Sequence, residues 1–393
     1  MLQRSVALLI ETSSGYGRGL IEGVIEFMKE RGNWSVILEP GHSDAPPSWL
    51  SSSNCDGIIA RIETDEYGKR LRELSVPVVD LSAARHVRGI PWADTEDKAI
   101  SKLAVEHFRD RGFRKLAYCG DAGFEWSIRR GHHFRQIAKS DECEAFEFHS
   151  KSRLDLDFNQ SEEQQRLVNW LACLPRPIAV MACHDFKAQQ VVDACRQLGI
   201  AIPTEIAILG VDNDRLLCEL CEPTLSSIIP DTKGTGYAAA QLLDRMMDGE
   251  NIATAQPILT QPLGVELRES TDTLAIEDKD VAIALHYIRR HATENIRVSD
   301  VLRKVSISRR TLEHRFQKVI GLTPHGEIHR VRMNRVRELL SDTNLAINEV
   351  AQQTGFEYEA YMAATFKRET GMTPTEYRDS VKPQIKLQSS GAL

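Results

Sequence analysis

AVMACHDFKAQQVVDACRQLGIAIPTEIAILGVDND, residues 179–214, is the stretch that decides the fold of most of this chain. An apolar run ends at Cys183, an amphipathic helical pattern follows from Asp185, and a second apolar run fills 206–212. Strand, helix and strand in that order form a βαβ unit, whose two strands are parallel and whose helix covers one face of the sheet. The stretch therefore predicts a parallel α/β sheet.

The alternation of short apolar runs and amphipathic helices extends outward from this unit, from Ser5 to about Arg268. Strands are predicted at 6–11, 35–39, 57–61, 76–81, 115–120, 177–183 and 206–212, and helices at 16–31, 95–111, 126–138, 161–173, 185–199 and 233–247. This number of elements fits two doubly wound α/β lobes. Residues 280–378 have a different, helical pattern throughout.

Length and composition indicate a globular protein of two or three domains. The chain has 393 residues, 42% of them hydrophobic and 27% charged, and it has no run of uncharged apolar residues long enough to span a membrane. The apolar run before Glu11 is too short for a signal-peptide core, and no small-residue cleavage site follows it. We expect a cytoplasmic protein without membrane contact.

The eight cysteines are scattered between positions 55 and 221. In a large chain without a secretion signal they are expected to be reduced. Cys218 and Cys221 form a C-x-x-C pair, but no second pair and no histidines at ligand spacing follow, so free thiols are favoured over a zinc site. No metal is expected.

Charge is divided unevenly along the chain, whose net charge is −7. Residues 281–393 contain 18 Lys and Arg against 12 Asp and Glu, a net charge of +6, which leaves −13 for residues 1–280. A basic end attracts a polyanion such as double-stranded DNA, although a solvated positive surface explains the charge equally well. The motifs in this region have to decide between the two.

Polar and aromatic residues follow the predicted strands, at the edge where open α/β sheets bind ligands. Carboxylates, amides and an arginine suit the hydroxyls of a sugar, and an aromatic ring suits its C–H face. Simpler explanations exist: Asp212 and Asn213 could form an Asx turn, Arg18 could lie at the surface, and Trp126 could pack in the core. The candidates for effector binding are Thr12, Tyr16, Arg18, Trp126, Asp185, Asp212 and Asn213, with Ser13, Arg61, Glu63, Asp121, His184 and Asp214 beside them.

The segment SSGYGRG, residues 13–19, follows a strand and opens a helix, as a dinucleotide-binding loop does. Its glycines fall at 15, 17 and 19 rather than at the G-x-G-x-x-G spacing, although Glu39 lies near the position of the expected acidic residue. The alternative function is therefore an NAD-dependent sugar oxidoreductase. No acid–base pair or nucleophile motif accompanies the loop, so neither a cofactor nor an enzyme activity is expected.

The quoted stretch carries a resemblance to a known family. Together with EPTLSSIIPD at 222–231 and GYAAAQLL at 236–243, it resembles the effector domain of LacI/GalR-type repressors and periplasmic sugar-binding proteins. The resemblance implies a two-lobed, type I periplasmic-binding-protein-like fold with three crossovers, and it places Arg18, Asp185, Asp212 and Asn213 at a sugar bound between the lobes. Those repressors begin with a helix-turn-helix, whereas this sequence begins with the first strand of a lobe, so a DNA-binding element is expected elsewhere.

A repeat with an offset of 50 residues lies in the helical region. FQKVIGLTP at 316–324 matches FKRETGMTP at 366–374, which indicates a duplicated helical unit. The first copy, VSDVLRKVSISRRTLEHRFQKV at 298–319, predicts a helix, a turn near 306–307 and a second helix capped by Ser308. Its predicted outward residues, suited to phosphates and guanine edges, are Ser308, Arg309, Arg310, Thr311, His314 and Arg315.

The second copy, LAINEVAQQTGFEYEAYMAATFKRE at 345–369, predicts a helix, a turn at Gly355 and another helix. Its predicted outward residues are Tyr358, Glu359, Tyr361, Ala364, Thr365 and Lys367. INEVAQQTGF and FKRETGMTPTEYR resemble the AraC/XylS family of activators, and the likeness spans the helical region. A helical bundle that binds another protein is the alternative.

The resemblance to AraC/XylS activators implies two helix-turn-helix units on a linking helix, 325–340, with all-α structure throughout. The base-reading helices are then 308–319 and 357–369, in successive major-groove segments about one turn apart, while the Gly-x-Thr-Pro elements, Phe316 and Phe366 are scaffold. Glu359, Ala360 and Ala364 stand where the first copy has basic side chains, so the second helix is expected to contribute less to affinity, reading bases through Tyr358, Tyr361 and water.

A sugar-binding clamshell placed before an AraC-type reader is an unusual order, which resembles the activators of pentose catabolism in enteric bacteria. HYIRRHA at 286–292, SISRRTLEHRF at 306–316 and WSIRR at 126–130 carry this resemblance, and the last places Trp126 and Arg129 at the cleft. D-xylose is implied as the effector, with arabinose, ribose or another pentose left open. Activation through RNA polymerase, at the nucleoid, is implied with it.

Sugar binding is expected to favour a closed form of the two lobes. Closure then changes how two protomers of a homodimer present their readers to DNA. The predicted boundaries are 1–270 for the two-lobed effector domain, 271–280 for a linker, 281–380 for the DNA-binding domain and 381–393 for a disordered tail.

Overall fold

A computed structural model describes residues 3–39, 47, 49–50, 54–81, 89–152, 157–250, 257–273 and 278–381. The chain divides into two compact units, Met1–Ala275 and Ile276–Leu393. The predicted tail beyond Val381 and part of the predicted linker lie outside the described residues, and the predicted domain boundaries stay predictions. None of the helices in these ranges has the length and hydropathy of a bilayer-spanning segment.

The first unit alternates strands and helices along its whole length, as the sequence predicts. Its elements in chain order are β1 (Arg4–Leu9), α1 (Gly15–Arg31), β2 (Trp34–Glu39), β3 (Gly57–Ala60), α2 (Asp65–Glu73), β4 (Val78–Asp80), β5 (Ala93–Thr95), α3 (Asp97–Asp110), β6 (Lys115–Asp121), α4 (Glu125–Ser140), β7 (Glu144–Ser150), α5 (Gln160–Cys173), β8 (Ile178–Ala182), α6 (Asp185–Leu198), β9 (Ile206–Val211), α7 (Arg215–Leu220), β10 (Ser226–Ile229), α8 (Thr232–Met247), β11 (Ile258–Thr260), β12 (Gly264–Glu266) and a 3-10 turn at Glu269–Thr271.

The first lobe contains a four-stranded parallel sheet in the order β2-β1-β3-β4. Helices α1 and α8 pack on it over a core that includes Leu20 and Phe27. Glycines let these two helices approach closely, since a Cβ on Gly23 would lie 2.0 Å from the carbonyl oxygen of Lys233 and one on Gly236 equally close to that of Leu20. The N-terminal end of α1 is thereby fixed beside the end of β1.

The second lobe contains a six-stranded sheet in the order β12-β10-β9-β8-β6-β7, in which only the β10–β12 pair is antiparallel. One apolar core lies between the sheet and α5 and α6, and another lies between the sheet and α3 and α4. Strands buried on both faces read as continuous apolar runs, which is why IAVMA and IAILGV are visible in the sequence.

The chain crosses between the lobes three times, near Thr95, near Pro230 and near Gln261. Threonine hydroxyls tie the three crossings together. The hydroxyl oxygens of Thr235 and Thr260 are 2.7 Å apart, the Thr260 hydroxyl donates to that of Thr95 at 3.4 Å, and the Glu96 N–H donates to the Thr260 carbonyl at 2.9 Å. Two lobes with three crossovers are the predicted fold.

Most differences from the predicted elements are at the crossings and at sheet edges. The predicted helix 95–111 is wrong at its start, because Thr95 pairs with Thr260 as the end of β5 and the helix begins at Asp97. Strand β7 was not predicted, since it lies at an edge of the sheet and its residues are only partly buried. Strand β10 is short and half serine, so its apolar signal is weak.

The second unit is helical throughout its described residues. Its helices are α9 (Lys279–His291), α10 (Val298–Leu302), α11 (Arg309–Ile320), α12 (Pro324–Asp342), α13 (Ile347–Gln353), α14 (Glu359–Thr370) and α15 (Pro374–Val381), with a 3-10 turn at Ala292–Glu294 after α9. Two apolar cores share the long helix α12. Ile328 belongs to the first core, with Phe316, and Met333 belongs to the second, with Phe366.

Candidate functional site

The carboxyl ends of strands from the two lobes meet across a cleft in the first unit. The Asp214 carboxylate, in the loop after β9, accepts a hydrogen bond of 2.9 Å from the backbone N–H of Gly15 at the start of α1. A Cβ at Gly15 would lie 2.9 Å from that oxygen, so a larger residue would interfere with the approach. The Arg18 guanidinium is 3.8 Å from Asp214 and donates to the carbonyls of Thr12 and Ser13.

Tyr16, Asp94 and Arg61 form the first-lobe wall of the cleft. The Tyr16 hydroxyl donates to the Asp94 carboxylate at 2.7 Å, and the Arg61 guanidinium lies 5.3 Å from the centre of the Tyr16 ring. Arg61 forms ion pairs with Glu11 and Glu63, while its Nε is buried and donates to no described residue. Arg61 was noted in the sequence only as a neighbour of the candidates.

Burial controls the protonation of this wall. The pKa of Asp94 is raised to about 6 by burial and, to a smaller extent, by the charge of Asp97, while the hydrogen bond from Tyr16 opposes the rise. The pKa of Tyr16 is well above its usual value because of burial and the adjacent Asp94 charge. The phenol therefore stays protonated at neutral pH, and its hydroxyl remains a donor.

Trp126, Arg130 and Asp97 form part of the second-lobe wall. The Arg130 guanidinium lies 4.9 Å from the centre of the Trp126 ring, donates to Asp97 at 3.1 Å and donates to the Cys183 carbonyl at 2.5 Å. Arg129, the predicted residue, lies with its Nε 3.4 Å from Asp97 on the more exposed side. Asp97 thus holds both arginines, and Arg130 is the buried one of the two.

Trp126 packs in the core, and its contact with the effector stays a prediction. It packs partly against the core between α3, α4 and the sheet, and its ring is stacked on Phe124 with centroids 5.2 Å apart. The His184 ring also lies near it, with centroids 5.8 Å apart. A half-buried indole with a stacked phenyl ring beside it offers an apolar wall to a ligand.

His184 caps α6 through its ring. Its Nδ1 accepts from the Lys187 N–H at 2.9 Å, which assigns the proton of the neutral ring to Nε2. Burial lowers the pKa of His184, and the negative charge of Asp212 opposes that change. His184 is therefore a neutral donor near neutral pH.

Asp212 is a cleft side chain without a hydrogen-bond partner among the described residues. Its φ is +108° and that of Asn213 is +50°, both rare for residues other than glycine. No hydrogen bond from any of the described residues reaches its carboxylate, although Arg130, Arg61 and His184 are close enough to affect it. Burial raises the pKa of Asp212, and those three groups oppose the rise. Strain and an unpartnered carboxylate together are characteristic of functional sites.

Asp185 fixes the backbone of this loop. Its two carboxylate oxygens accept from the Ser227 hydroxyl at 2.6 Å and from the Asp214 N–H at 2.7 Å, and the carboxylate is almost completely buried. The expectation that Asp185 contacts the effector is corrected by this placement, because its acceptors face the protein. Asn213 is oriented in turn by Arg268, which donates to its side-chain oxygen at 2.9 Å.

Three cleft residues were not selected from the sequence, for different reasons. The resemblance in WSIRR predicts Arg129 at the cleft rather than its neighbour Arg130. Position 130 is, however, four residues from Trp126 and lies on the same helix face. Asp94 gives no signal in the sequence, because it belongs to a three-residue strand directly before the predicted helix 95–111. Arg61 lies at the end of a predicted strand, which is the right position, but the sequence does not show which residues it contacts.

The second unit presents two helix-turn-helix pairs, α10–α11 and α13–α14. Ser308 caps α11 by accepting from the Thr311 N–H, as predicted. Arg310 and His314 are exposed on α11, Arg309 is paired with Glu313, and Arg315 lies 3.4 Å from Asp278. The exposed face of α11 is therefore basic, with part of its charge already compensated.

Helix α14 presents a different, less basic face. Tyr358 and Tyr361 are 65% and 59% exposed, and Glu359 and Lys367 are exposed beside them. Thr365 is 1% exposed, so the prediction that it faces outward is wrong. It lies three residues after the buried Met362, on the face that packs against α13 and α12.

The repeated Gly-x-Thr-Pro elements are scaffold, as predicted. Gly321 and Gly371 end α11 and α14 in the left-handed region, with φ of +80° and +78°. Thr323 caps the following helix by accepting from the Gly326 N–H at 3.1 Å, with Pro324 at its first position. Phe316 and Phe366 are completely buried.

Comparison with known proteins agrees with this architecture. Residues 105–271 match the periplasmic binding protein-like domain, residues 301–380 match a helix-turn-helix domain, and residues 5–90 match the XylR N-terminal domain. A two-lobed sensing unit and a double helix-turn-helix define a ligand-responsive transcription regulator.

Relatives along the whole chain define the family. The xylose operon regulatory protein of Escherichia coli K12 is 31% identical over 95% of this chain and 96% of its own length, and that of Haemophilus influenzae is 30% identical over 95% and 97%. A solved structure of the xylose-binding transcription activator XylR covers 97% of this chain and 99% of that one, with 31% identity and a TM-score of 0.82. The chain belongs to the family of xylose operon regulatory proteins. It is a DNA-binding transcriptional regulator with a sugar-sensing domain, and these relatives are regulators rather than oxidoreductases.

Proposed function

We propose that this protein activates genes of pentose catabolism when a pentose, with D-xylose favoured, binds in the interlobe cleft. The observation that carries the proposal is Asp212, a strained carboxylate without a hydrogen-bond partner among the described residues, placed between Arg130, Arg61 and His184. The names of the relatives support D-xylose over the other pentoses. Cytoplasmic action at the DNA follows from the same relationship.

The cleft offers the chemistry that a small polyol needs. Asp212 accepts hydrogen bonds from sugar hydroxyls, and His184 and Arg61 can donate to sugar oxygens. The Tyr16 oxygen, whose proton is donated to Asp94, can accept a hydrogen bond from a sugar hydroxyl. Trp126 covers the C–H face of the ring. Thr12, Arg18, Arg129 and Asn213 complete the proposed sugar contacts, and Asp185 acts through the loop that it holds rather than by touching the ligand.

The two reading helices have distinct proposed tasks. On α11, Arg310 and His314 reach bases or phosphates, with Arg309, Thr311, Ser308 and Arg315 beside them. On α14, Tyr358, Tyr361, Glu359 and Lys367 contribute fewer charged contacts. Most of the salt-dependent affinity is then supplied by the first helix-turn-helix.

Sugar and DNA communicate by a shift between conformations. A sugar that contacts both lobes binds their closed arrangement more tightly and increases its population. We infer that two protomers form a homodimer and that the closed form presents the readers productively to DNA and RNA polymerase. Reciprocity then requires operator DNA to raise sugar affinity by the same factor as sugar raises DNA affinity.

The test is a thermal melt of the full-length protein with D-xylose, L-arabinose, D-ribose or xylitol. A ligand that binds only the folded state adds about 2.7 kcal/mol at about 100 times its Kd. A selective shift with D-xylose supports the proposal, and a shift of equal size with all four ligands rejects D-xylose as the specific effector. Absence of any shift rejects the sugar proposal and leaves DNA binding to be measured separately, by titration of labelled duplexes.

A further inference from the structure

The junction between the two helix-turn-helix units is built from the middle of α12. Arg332, on this helix, donates from Nε to the Ala292 carbonyl at 2.7 Å and from Nη2 to the Ile296 carbonyl at 3.0 Å. Both carbonyls lie in the segment that follows α9, and Ala292 and Ile296 belong to the core of the first helix-turn-helix. Arg332 therefore anchors α12 to the first unit through fixed backbone atoms.

The same arginine also contacts the second helix-turn-helix. Its guanidinium lies 5.9 Å from the centre of the Phe356 ring, and Phe356 is buried in the core around α13 and α14. One side chain thus bonds the first unit and packs on the second. A planar guanidinium can do both at once, because its edge donates hydrogen bonds while its face stacks on the ring.

Gly355 provides an independent contact at this junction. It turns the chain between α13 and α14 with a φ of +76°, and a Cβ there would lie 2.8 Å from the Thr293 carbonyl oxygen and 2.9 Å from that of Ala292. The turn of the second helix-turn-helix therefore rests on the backbone that Arg332 also holds.

We propose that Arg332 and the Gly355 turn fix the separation of the two reading helices, so that the protein selects DNA by the spacing between two major-groove segments. The proposal rests on the DNA-reading role proposed above and deepens it. Helix α12 has 19 residues, so it spans roughly 28 Å, somewhat less than the ~34–36 Å of one turn of B-DNA. Arg332 is a positioning residue in this scheme and needs no contact with a base.

The consequence is a steep dependence on the number of base pairs between the two segments. One inserted base pair moves the second segment by about 3.4 Å along the axis and rotates it by about 35°, since B-DNA has about 10.5 base pairs per turn. A rigid pair of readers cannot follow that displacement. A pair that can pivot at the junction follows it at a smaller loss of affinity.

The experiment uses full-length protein and a duplex that the wild type selects from a random-sequence library. A second duplex carries one additional base pair between the two major-groove segments that the helix-turn-helix units contact. The wild type is expected to bind the second duplex at least about tenfold more weakly than the first. Arg332→Met is expected to bind it at most about threefold more weakly than the first, because methionine keeps the packing on Phe356 but cannot donate a hydrogen bond. Arg335→Met is the matched control, since Arg335 is half-exposed on the same helix and pairs only locally with Glu338.

Arg332→Lys keeps the charge and one donor, so it should restore part of the discrimination, and it serves as the second variant if Arg332→Met does not fold. Equal discrimination in wild type and both variants overturns the proposal. A uniform loss of affinity for both duplexes also overturns it, because that result indicates a DNA contact or general instability. Failure of the wild type to select any duplex refutes the DNA-reading function itself, and a sugar-induced thermal shift in the same samples shows that the first unit is intact.

Discussion

Replacing Asp212 by asparagine should raise the stability of the protein and lower its affinity for sugar. The substitution keeps the shape of the side chain and tolerates the positive φ of this position, but it removes a charge that burial disfavours. Arg130 and Arg61 keep carboxylate partners in Asp97 and Glu11, so no buried cation is left alone. We therefore expect Asp212→Asn to be more stable than the wild type and to bind sugar poorly.

The magnitudes follow from the burial of the carboxylate. Each unit by which its pKa is raised corresponds to about 1.4 kcal/mol of unfavourable charging at neutral pH. Partial exposure of the side chain reduces the gain in Asp212→Asn to about 1 kcal/mol, or a rise in Tm of about 2–4 °C for a unit of this size. Losing a charge-assisted hydrogen bond to a sugar hydroxyl costs about 1.5–3 kcal/mol, a loss of affinity of about 10- to 100-fold.

Thermal melts without sugar and isothermal titration with D-xylose measure the two effects on the same preparation. Asp193→Asn is the matched control, because Asp193 is an exposed carboxylate on α6 paired with Arg196 outside the cleft. It should change neither quantity. An Asp212→Asn protein that binds D-xylose as tightly as the wild type would refute the assignment of this carboxylate to the sugar, and a lowered Tm would refute the argument about its burial.

Three further predictions use other parts of the molecule. The pKa of Asp94 is raised to about 6, so its folded state holds a proton that the unfolded state releases near pH 4. The free energy of unfolding of the wild type relative to Asp94→Asn, measured by urea unfolding, should therefore fall by up to about 3 kcal/mol as pH rises from about 3 to about 7. Thr260→Val removes hydroxyl contacts to Thr235 and Thr95 at the crossings and should lower the free energy of unfolding by about 1 kcal/mol in the same assay. Thr224→Val, away from the crossings, should leave the pentose-induced shift in Tm unchanged. Arg310→Ala should weaken duplex binding and flatten its salt dependence, while Thr365→Ala should lower Tm and leave the ranking of duplex sequences intact; the reverse pattern would contradict the assignment of these two positions.

The sequence predicts the fold well where strands are buried on both faces and where helices repeat. IAVMA and IAILGV predict central strands, and the repeated Phe, Gly, Thr and Pro predict a duplicated helical unit whose Gly-x-Thr-Pro elements are scaffold. These signals are local, since periodicity and capping depend on neighbours along the chain. Short strands at the crossings, such as β5, depend on distant partners and leave no such pattern.

The cleft was harder to predict because its properties arise from contacts distant in sequence. Asp185 follows a strand just as Asp212 does, yet one is satisfied by Ser227 and a backbone N–H from the next loop, and the other is not. No spacing rule separates them. Likewise, Thr365 follows the helical spacing of the buried Met362, so counting from that residue rather than from the repeat would have placed it inside.

The hydrogen bond between Asp214 and the Gly15 N–H has a consequence for the dose–response curve of this sensor. It is made entirely by the protein, so part of the free energy that draws the lobes together does not depend on sugar concentration. A contribution of about 1 kcal/mol changes the ratio of closed to open molecules about fivefold. On the proposed mechanism, strengthening the contact of Asp214 is expected to lower the sugar concentration needed for activation and to raise transcription without sugar. Weakening it is expected to lower transcription without sugar and to raise the sugar concentration that is needed.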